Sequence, residues 1–223
     1  MLHKRIAWAV AVLAVAWPIT SPGGREAWAV HEVGHLRVLP EESRIEFVAS
    51  YSFVSHHLNI GGEIEGLLNV RSGEARTNLA NPTKGTFAEI VIDPRSLDTG
   101  NRWRDERLKE QYLEVEKFPE IRFRVTKLTR SRGFADLVEK SDLTLEGRLT
   151  LHGATRQIVV KGRRVNNNRR VVVDGEAVVP MSRFGMKLPK APPFLTGRDD
   201  VKVRFHIVLK GSLGKGGHDA LSQ

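Results

Sequence analysis

The chain has 223 residues, no cysteine, 40% apolar and 27% charged residues, and a formal charge of +9. That length suits one domain or two small ones and can bury a real core. The lack of cysteine excludes disulfide scaffolds, thiolate metal sites, iron–sulfur clusters and cysteine nucleophiles, so a metal would need histidine and carboxylate ligands.

The first thirty residues read as an address. Lys4 and Arg5 precede Ile6–Trp17, a run without a polar side chain, and Pro18 ends it. Ala27-Trp28-Ala29 supplies a small-x-small cleavage site. That order is a secretory signal peptide. A run of about twelve residues reaches roughly 18 Å, short of a ~30 Å hydrocarbon core. Cleavage near Ala29 leaves 194 residues with 32 basic and 25 acidic side chains, a net of +7. A periplasmic or secreted protein follows. No nucleic acid is then expected as partner; an anionic membrane surface is the electrostatic partner that fits.

His31-Glu32-Val33-Gly34-His35 matches the H-E-x-x-H pattern of zinc hydrolases, which needs both histidines on one helix face. No amphipathic helix surrounds it, Gly34 disfavours one, and Leu36-Arg37-Val38-Leu39 reads as strand. The expected metal set is none.

From residue 43 the dominant period is two. Ile121–Thr126, Leu143–Leu151 and Val201–Ile207 alternate apolar and polar, the pattern of strands with one buried and one wet face. Eight strands are predicted, near 43–52, 60–70, 84–92, 119–129, 142–152, 155–165, 168–181 and 200–211. Gly61-Gly62, Asn81-Pro82, His152-Gly153 and Asn166-Asn167-Asn168 punctuate them. Asp174-Gly175 inside the seventh run predicts a bulge in preference to a turn. Long antiparallel strands at this spacing suggest an up-and-down barrel or a sandwich. Basic residues such as Arg122, Arg124, Arg148, Lys202 and Arg204 fall on the wet faces, dispersed among acids, which is a solvated coat and not a nucleic-acid stripe.

Residues 101–113 are helix-like, with Trp103, Leu108 and Tyr112 roughly on one face, and could cover a barrel mouth. Asp105 and Glu106 beside Arg102, Arg104 and Arg107 read as a salt-bridged capping segment and not an acid/base pair. The Gly-rich tail, 212–223, is expected to be disordered. There is no G-x-S-x-G elbow, P-loop or dinucleotide fingerprint.

Four segments, in order, carry a family resemblance: Ser43-Arg44-Ile45-Glu46-Phe47; Leu97-Asp98-Thr99-Gly100 with Arg104-Asp105-Glu106-Arg107-Leu108 and Phe118-Pro119-Glu120-Ile121-Arg122-Phe123; Gly147–Thr155; and Ser182-Arg183-Phe184-Gly185-Met186. Together they span about residues 36–211 and resemble the YceI-like family. The chain departs from it at His56-His57-Leu58, where relatives usually show a single histidine. The resemblance implies an all-β, eight-stranded antiparallel, lipocalin-like barrel, often a homodimer. It also implies an apolar tunnel that holds polyisoprenoid chains or quinone tails, and no catalysis.

Alternation places Ile45, Phe47, Ile121, Phe123, Val125, Leu143, Leu145, Leu149, Leu151, Val203, Phe205 and Ile207 inward. A packed core and a ligand tunnel are equally compatible with that face. On the family reading, the ligand candidates are Ile45, Phe47, Phe123, Val125, Leu145, Leu149, Phe184, Phe205 and Ile207. Trp103, Arg104, Asp105, Leu108 and Arg183 are candidates for the mouth or cap. The expected function is a carrier or scavenger of an isoprenoid lipid, with no other cofactor. The alternatives are a zinc hydrolase through His31, Glu32 and His35, and a basic protein that binds the envelope surface.

Overall fold

The computed structural model describes residues 33–55, 58–78, 85–130, 140–167, 170–188, 190–191 and 195–212. The signal-peptide and tail expectations, and His31, Glu32, His56 and His57, lie outside these. Ten strands follow in order: β1 Val33–Val38, β2 Arg44–Ser55, β3 Leu58–Asn78, β4 Phe87–Asp98, β5 Ile121–Arg130, β6 Lys140–Leu151, β7 Ala154–Asn167, β8 Arg170–Pro180, β9 Lys190–Ala191 and β10 Leu195–Ser212. One α-helix, α1 Arg102–Arg107, continues as a π-helical turn, Leu108–Tyr112.

Neighbouring strands pair antiparallel from β2 through β8, and β10 pairs with both β8 and β2, which closes the barrel. β1 is not a ninth stave. It pairs with the end of β10 (Val38 with Leu209) and the end of β3 (Leu36 with Ala75), where β2 has not yet begun. β1 and β2 are thus one interrupted stave, stepped by the 3-10 turn Pro40–Glu42. Ser43 closes the step: its Oγ donates to the Leu39 carbonyl (2.7 Å) and accepts from the Val208 amide (3.0 Å), at 7% exposure. A buried hydroxyl with both roles filled leaves no backbone group orphaned at the seam.

The observed strands follow the predicted ones with corrections. β1 and β9 are additional, β4 continues past 92 to Asp98, and β10 starts at Leu195. Gly61-Gly62 is no turn: both glycines pair with β2 inside β3, which runs well beyond 60–70, to Asn78. Asp174-Gly175 makes no bulge: β8 keeps unbroken register with β7 and β10 through Gly175. The reason is the ring of Phe205, which lies across Gly175 from the next strand. The glycine serves ring packing and not a kink.

The alternating residues meet inside. Ile45, Ile121, Leu149, Leu151, Val171, Val179 and Ile207 belong to one buried apolar cluster that spans β2, β5, β6, β8 and β10. His35 stands on extended β1 and not on a helix, so the geometry a zincin needs is not formed there.

Candidate functional site: an apolar tunnel with a helical cap

A cavity of about 1050 Å³ runs through the barrel. Every stave contributes inward residues to its wall: Ala49 and Tyr51 from β2, Ile64 and Leu68 from β3, Ala88 and Ile90 from β4, Ile158 and Val160 from β7, Val173 and Ala177 from β8. Ile45, Phe47, Phe123, Val125, Leu145, Leu149, Phe205 and Ile207 line it as well. Phe184 does not. It is 1% exposed and packs into the core cluster, while Met181 and Met186 on either side reach the cavity in its place.

An eight-stranded barrel is just wide enough for its own side chains to fill. Here a set of inward glycines keeps it open. A Cβ on Gly66 would lie 2.4 Å from Cζ of Phe47; on Gly147, 2.5 Å from Cζ of Phe123; on Gly175, 2.4 Å from Cζ of Phe205. Each ring therefore lies flat on a neighbouring strand and not across the lumen. β5 and β10 stand four staves apart in the ring of eight, so Phe123 and Phe205 rest on facing walls.

The cap closes the end where β4 leads into α1 and β5. Asn101 accepts from the Arg104 amide (3.0 Å) as the helix N-cap. Thr99 anchors the helix to β4. The Asp105 carboxylate accepts from the Thr99 amide (3.1 Å) and hydroxyl (2.5 Å). The Arg104 guanidinium donates to the Thr99 hydroxyl (2.7 Å) and carbonyl (2.8 Å). Asp105, at 7% exposure, is a structural tie that does not face the lumen.

Arg104, Arg107, Leu108, Tyr112 and Leu113 line the cavity from the cap. Trp103 does not; it is 74% exposed. At 3.6 residues per turn, Trp103 lies about 140° from Leu108, whereas Arg104 lies about 40° from it. The face expected for Trp103 belongs to Arg104. Arg183 is also exposed and outside the lining; its neighbour Ser182 instead donates its amide (2.7 Å) and hydroxyl (2.6 Å) to Asp199. Those bonds hold the Asp199 carboxyl below its ordinary value.

A second tie pins the cap connection to the β6–β7 turn. Nε2 of His152 lies 2.5 Å from the Glu114 carboxylate, and its ring packs on Phe118 at 4.5 Å between centroids. Glu114 and His152 are the non-glycine residues with positive φ (47° and 50°) among the described residues. Backbone strain at both ends of one contact is kept by the surroundings that fix it.

Of the polar lining, sequence reasoning found Arg104 alone. Lys187 and Arg198 border the cavity alongside Arg104, Arg107 and Glu63. Arg164 on β7 takes an inward position in step with Ile158 and Val160, and burial lowers its pKa below the ordinary arginine value. A single basic residue at an apolar register position of β7 was the available signal. Among the described residues, no three His, Asp or Glu side chains gather as a metal site.

Solved structures share this architecture at low identity. BcnA of Burkholderia cenocepacia superposes with a TM-score of 0.59 at 19% identity, over 77% of this chain and 98% of that one. A polyisoprenoid binding domain from Saccharophagus degradans, implicated in plant cell wall breakdown, gives 0.54 at 15% identity, over 79% and 98%. A UPF0312 protein of Shewanella sp. (strain W3-18-1) is 28% identical over 151 residues, 65% of this chain and 74% of that protein. The YceI-like domain model matches residues 36–209, from within β1 to near the end of the closing strand β10, and the chain belongs to the YceI-like family.

Proposed function

We propose that this protein is an exported carrier or scavenger that holds an isoprenoid lipid, a polyisoprenoid or a quinone tail, in the barrel tunnel. The observation that carries the reading is the cavity of about 1050 Å³ with a mostly apolar wall. That volume is at the upper end of what small-molecule sites enclose, and a mostly apolar wall with a few polar groups is the usual make-up of such sites. A lipid chain would remove that apolar wall from water.

The binding energy is sufficient. Burying a CH₂-sized group contributes about 0.8 kcal/mol, so a five-carbon isoprene unit contributes roughly 4. Micromolar affinity needs about 8 kcal/mol net, and ordering costs take several more. Roughly three or four buried units supply both. Such binding reads shape and length. The solved polyisoprenoid binding domain of the same fold supports an isoprenoid over other lipids. Binding is the whole activity on this reading, without a catalytic step. The exposed Trp103 beside Arg102 on α1 suits an anionic bilayer surface, from which a carrier would load.

The test is organic-solvent extraction of the purified mature protein, followed by mass spectrometry. The expected result is a co-purifying or exchangeable lipid with masses spaced by isoprene units. A protein that carries no lipid and takes up neither polyprenol nor quinone overturns the reading. A zinc hydrolase would instead lose metal and activity with His31→Ala and His35→Ala, and a purely electrostatic surface binder would release from anionic vesicles with salt and take up no lipid.

A further inference from the structure

Resting on the isoprenoid reading of the tunnel, a finer question is what decides which lipid fits. Two of the ring seats differ from the others. The three atoms nearest a Cβ on Gly62 all belong to the Tyr51 side chain, with Oη at 2.3 Å and Cζ at 2.4 Å. Those nearest a Cβ on Gly66 are also side-chain atoms: Phe47 at 2.4 and 2.5 Å, and the Thr99 methyl at 2.9 Å. At Gly147 and Gly175 a backbone oxygen is among the nearest three, 2.7 and 2.6 Å away, so a side chain there must move a strand. At Gly62 and Gly66 the nearest clashes are with side chains, the Tyr51 ring at one and the Phe47 ring and Thr99 methyl at the other.

Both pairs sit on one wall of the tunnel. Tyr51 pairs in register with Gly62, and Phe47 with Gly66, between β2 and β3. They lie toward the capped end, because Leu67 pairs with Asp98, where β4 turns into the cap. Thr99, whose methyl approaches the Gly66 seat, is also the residue that anchors α1. Phe47 and Tyr51 both line the cavity. Their ring edges occupy the space over these glycines, on the β3 side of the cavity.

We propose that Gly62 and Gly66 are specificity-determining residues: by seating Tyr51 and Phe47 flat on β3, they keep the capped end wide enough for a methyl-branched isoprenoid chain. A side chain at either position swings a ring into the lumen. The narrowed passage then admits an unbranched acyl chain and rejects the branched one. Selectivity for branched lipids thus comes from two missing methyl groups on the protein.

Geranylgeraniol and hexadecanol test this, since they share a main-chain length and differ in the methyl branches and in the double bonds that carry them; phytanol, saturated with the same branches, is run beside them and is expected to follow geranylgeraniol. Equilibrium binding of all three, radiolabelled, is measured on the wild-type mature protein, Gly66→Ala and Gly62→Ala. Gly66→Ala is expected to weaken geranylgeraniol by about tenfold or more and leave hexadecanol within about threefold, the scale of a one-methyl misfit in an apolar pocket. Adding Phe47→Leu to Gly66→Ala is expected to restore geranylgeraniol, because the shorter side chain clears the lumen. Folded variants that bind both lipids like the wild type, or lose both equally, overturn the inference and leave the tunnel reading standing. Wild-type protein that binds neither lipid overturns the tunnel reading and this inference with it. If Gly66→Ala does not fold, Gly62→Ala carries the same comparison through Tyr51.

Discussion

The outer and inner faces of the same staves are held together by different physics. Outside, Glu89 accepts from Arg122 (2.6 Å) and Arg124 (2.7 Å), Lys127 meets Glu146 at 2.8 Å, and Arg163 meets Asp142 at 3.1 Å. The basic partners are solvated, with Glu89 partly buried between its two arginines, and an exposed pair of this kind is worth about 0–1 kcal/mol. Inside, the wall is made of apolar side chains and glycine-seated rings around a cavity. The outer face is redundant, so losing one pair changes little. The inner face is not, because every atom there either packs the wall or sets the bore.

That contrast orders the expected effects of substitution. Phe184→Ala, at a residue 1% exposed, is expected to cost about 3–5 kcal/mol, read as a drop in the thermal midpoint. Asp105→Ala strips the buried tie to Thr99 and is expected to cost about 1–3 kcal/mol, with the cap the first region to gain hydrogen exchange. Ala177→Trp fills the lumen from β8; it is expected to abolish lipid uptake for about 1–3 kcal/mol of overpacking, and full uptake by this variant would separate the cavity from binding. Arg124→Ala on the outer face is expected to stay within about 0.5 kcal/mol by urea melt. A larger loss there would erase the contrast.

The smallest effect concerns acid. The Asp199 carboxyl sits below its ordinary value of 3.8 because Ser182 donates two hydrogen bonds to it. The contribution is present above that value and fades as pH falls through the lower folded one. Asp199→Asn is therefore expected to melt slightly earlier than the wild type at neutral pH. The two midpoints should converge in acid; a gap that persists there would place the effect elsewhere.

Much of this was legible as period. Val201–Ile207 and Leu143–Leu151 alternate cleanly, and both became barrel strands with apolar residues on the lumen. β3 was read short because its second half, 71–78, is polar apart from Gly73 and Ala75, so the alternation fades there. The halves of the interrupted stave could not be joined from sequence, since β1 finds its place only through β3 and β10. Trp103 was placed on one face with Leu108 and Tyr112 as a mouth candidate; of the mouth candidates on the helix, Arg104 and Leu108 reach the cavity and Trp103 does not, as the helical angle requires. The openness of the tunnel was not legible at all. It depends on which glycine meets which ring across strands, and pairing register is a tertiary fact.

The closing strand sets a timetable for folding. β10 supplies both edges of the final seam, and Ser43 bonds to Val208 across 165 positions of sequence. A nascent chain that has not yet reached β10 carries β2 and β8 as two unpaired edges, with the apolar wall between them in water. Closure must therefore be late, and a topology so rich in distant pairs folds in about milliseconds to seconds. Protease resistance should arrive in one step, when the last strand docks.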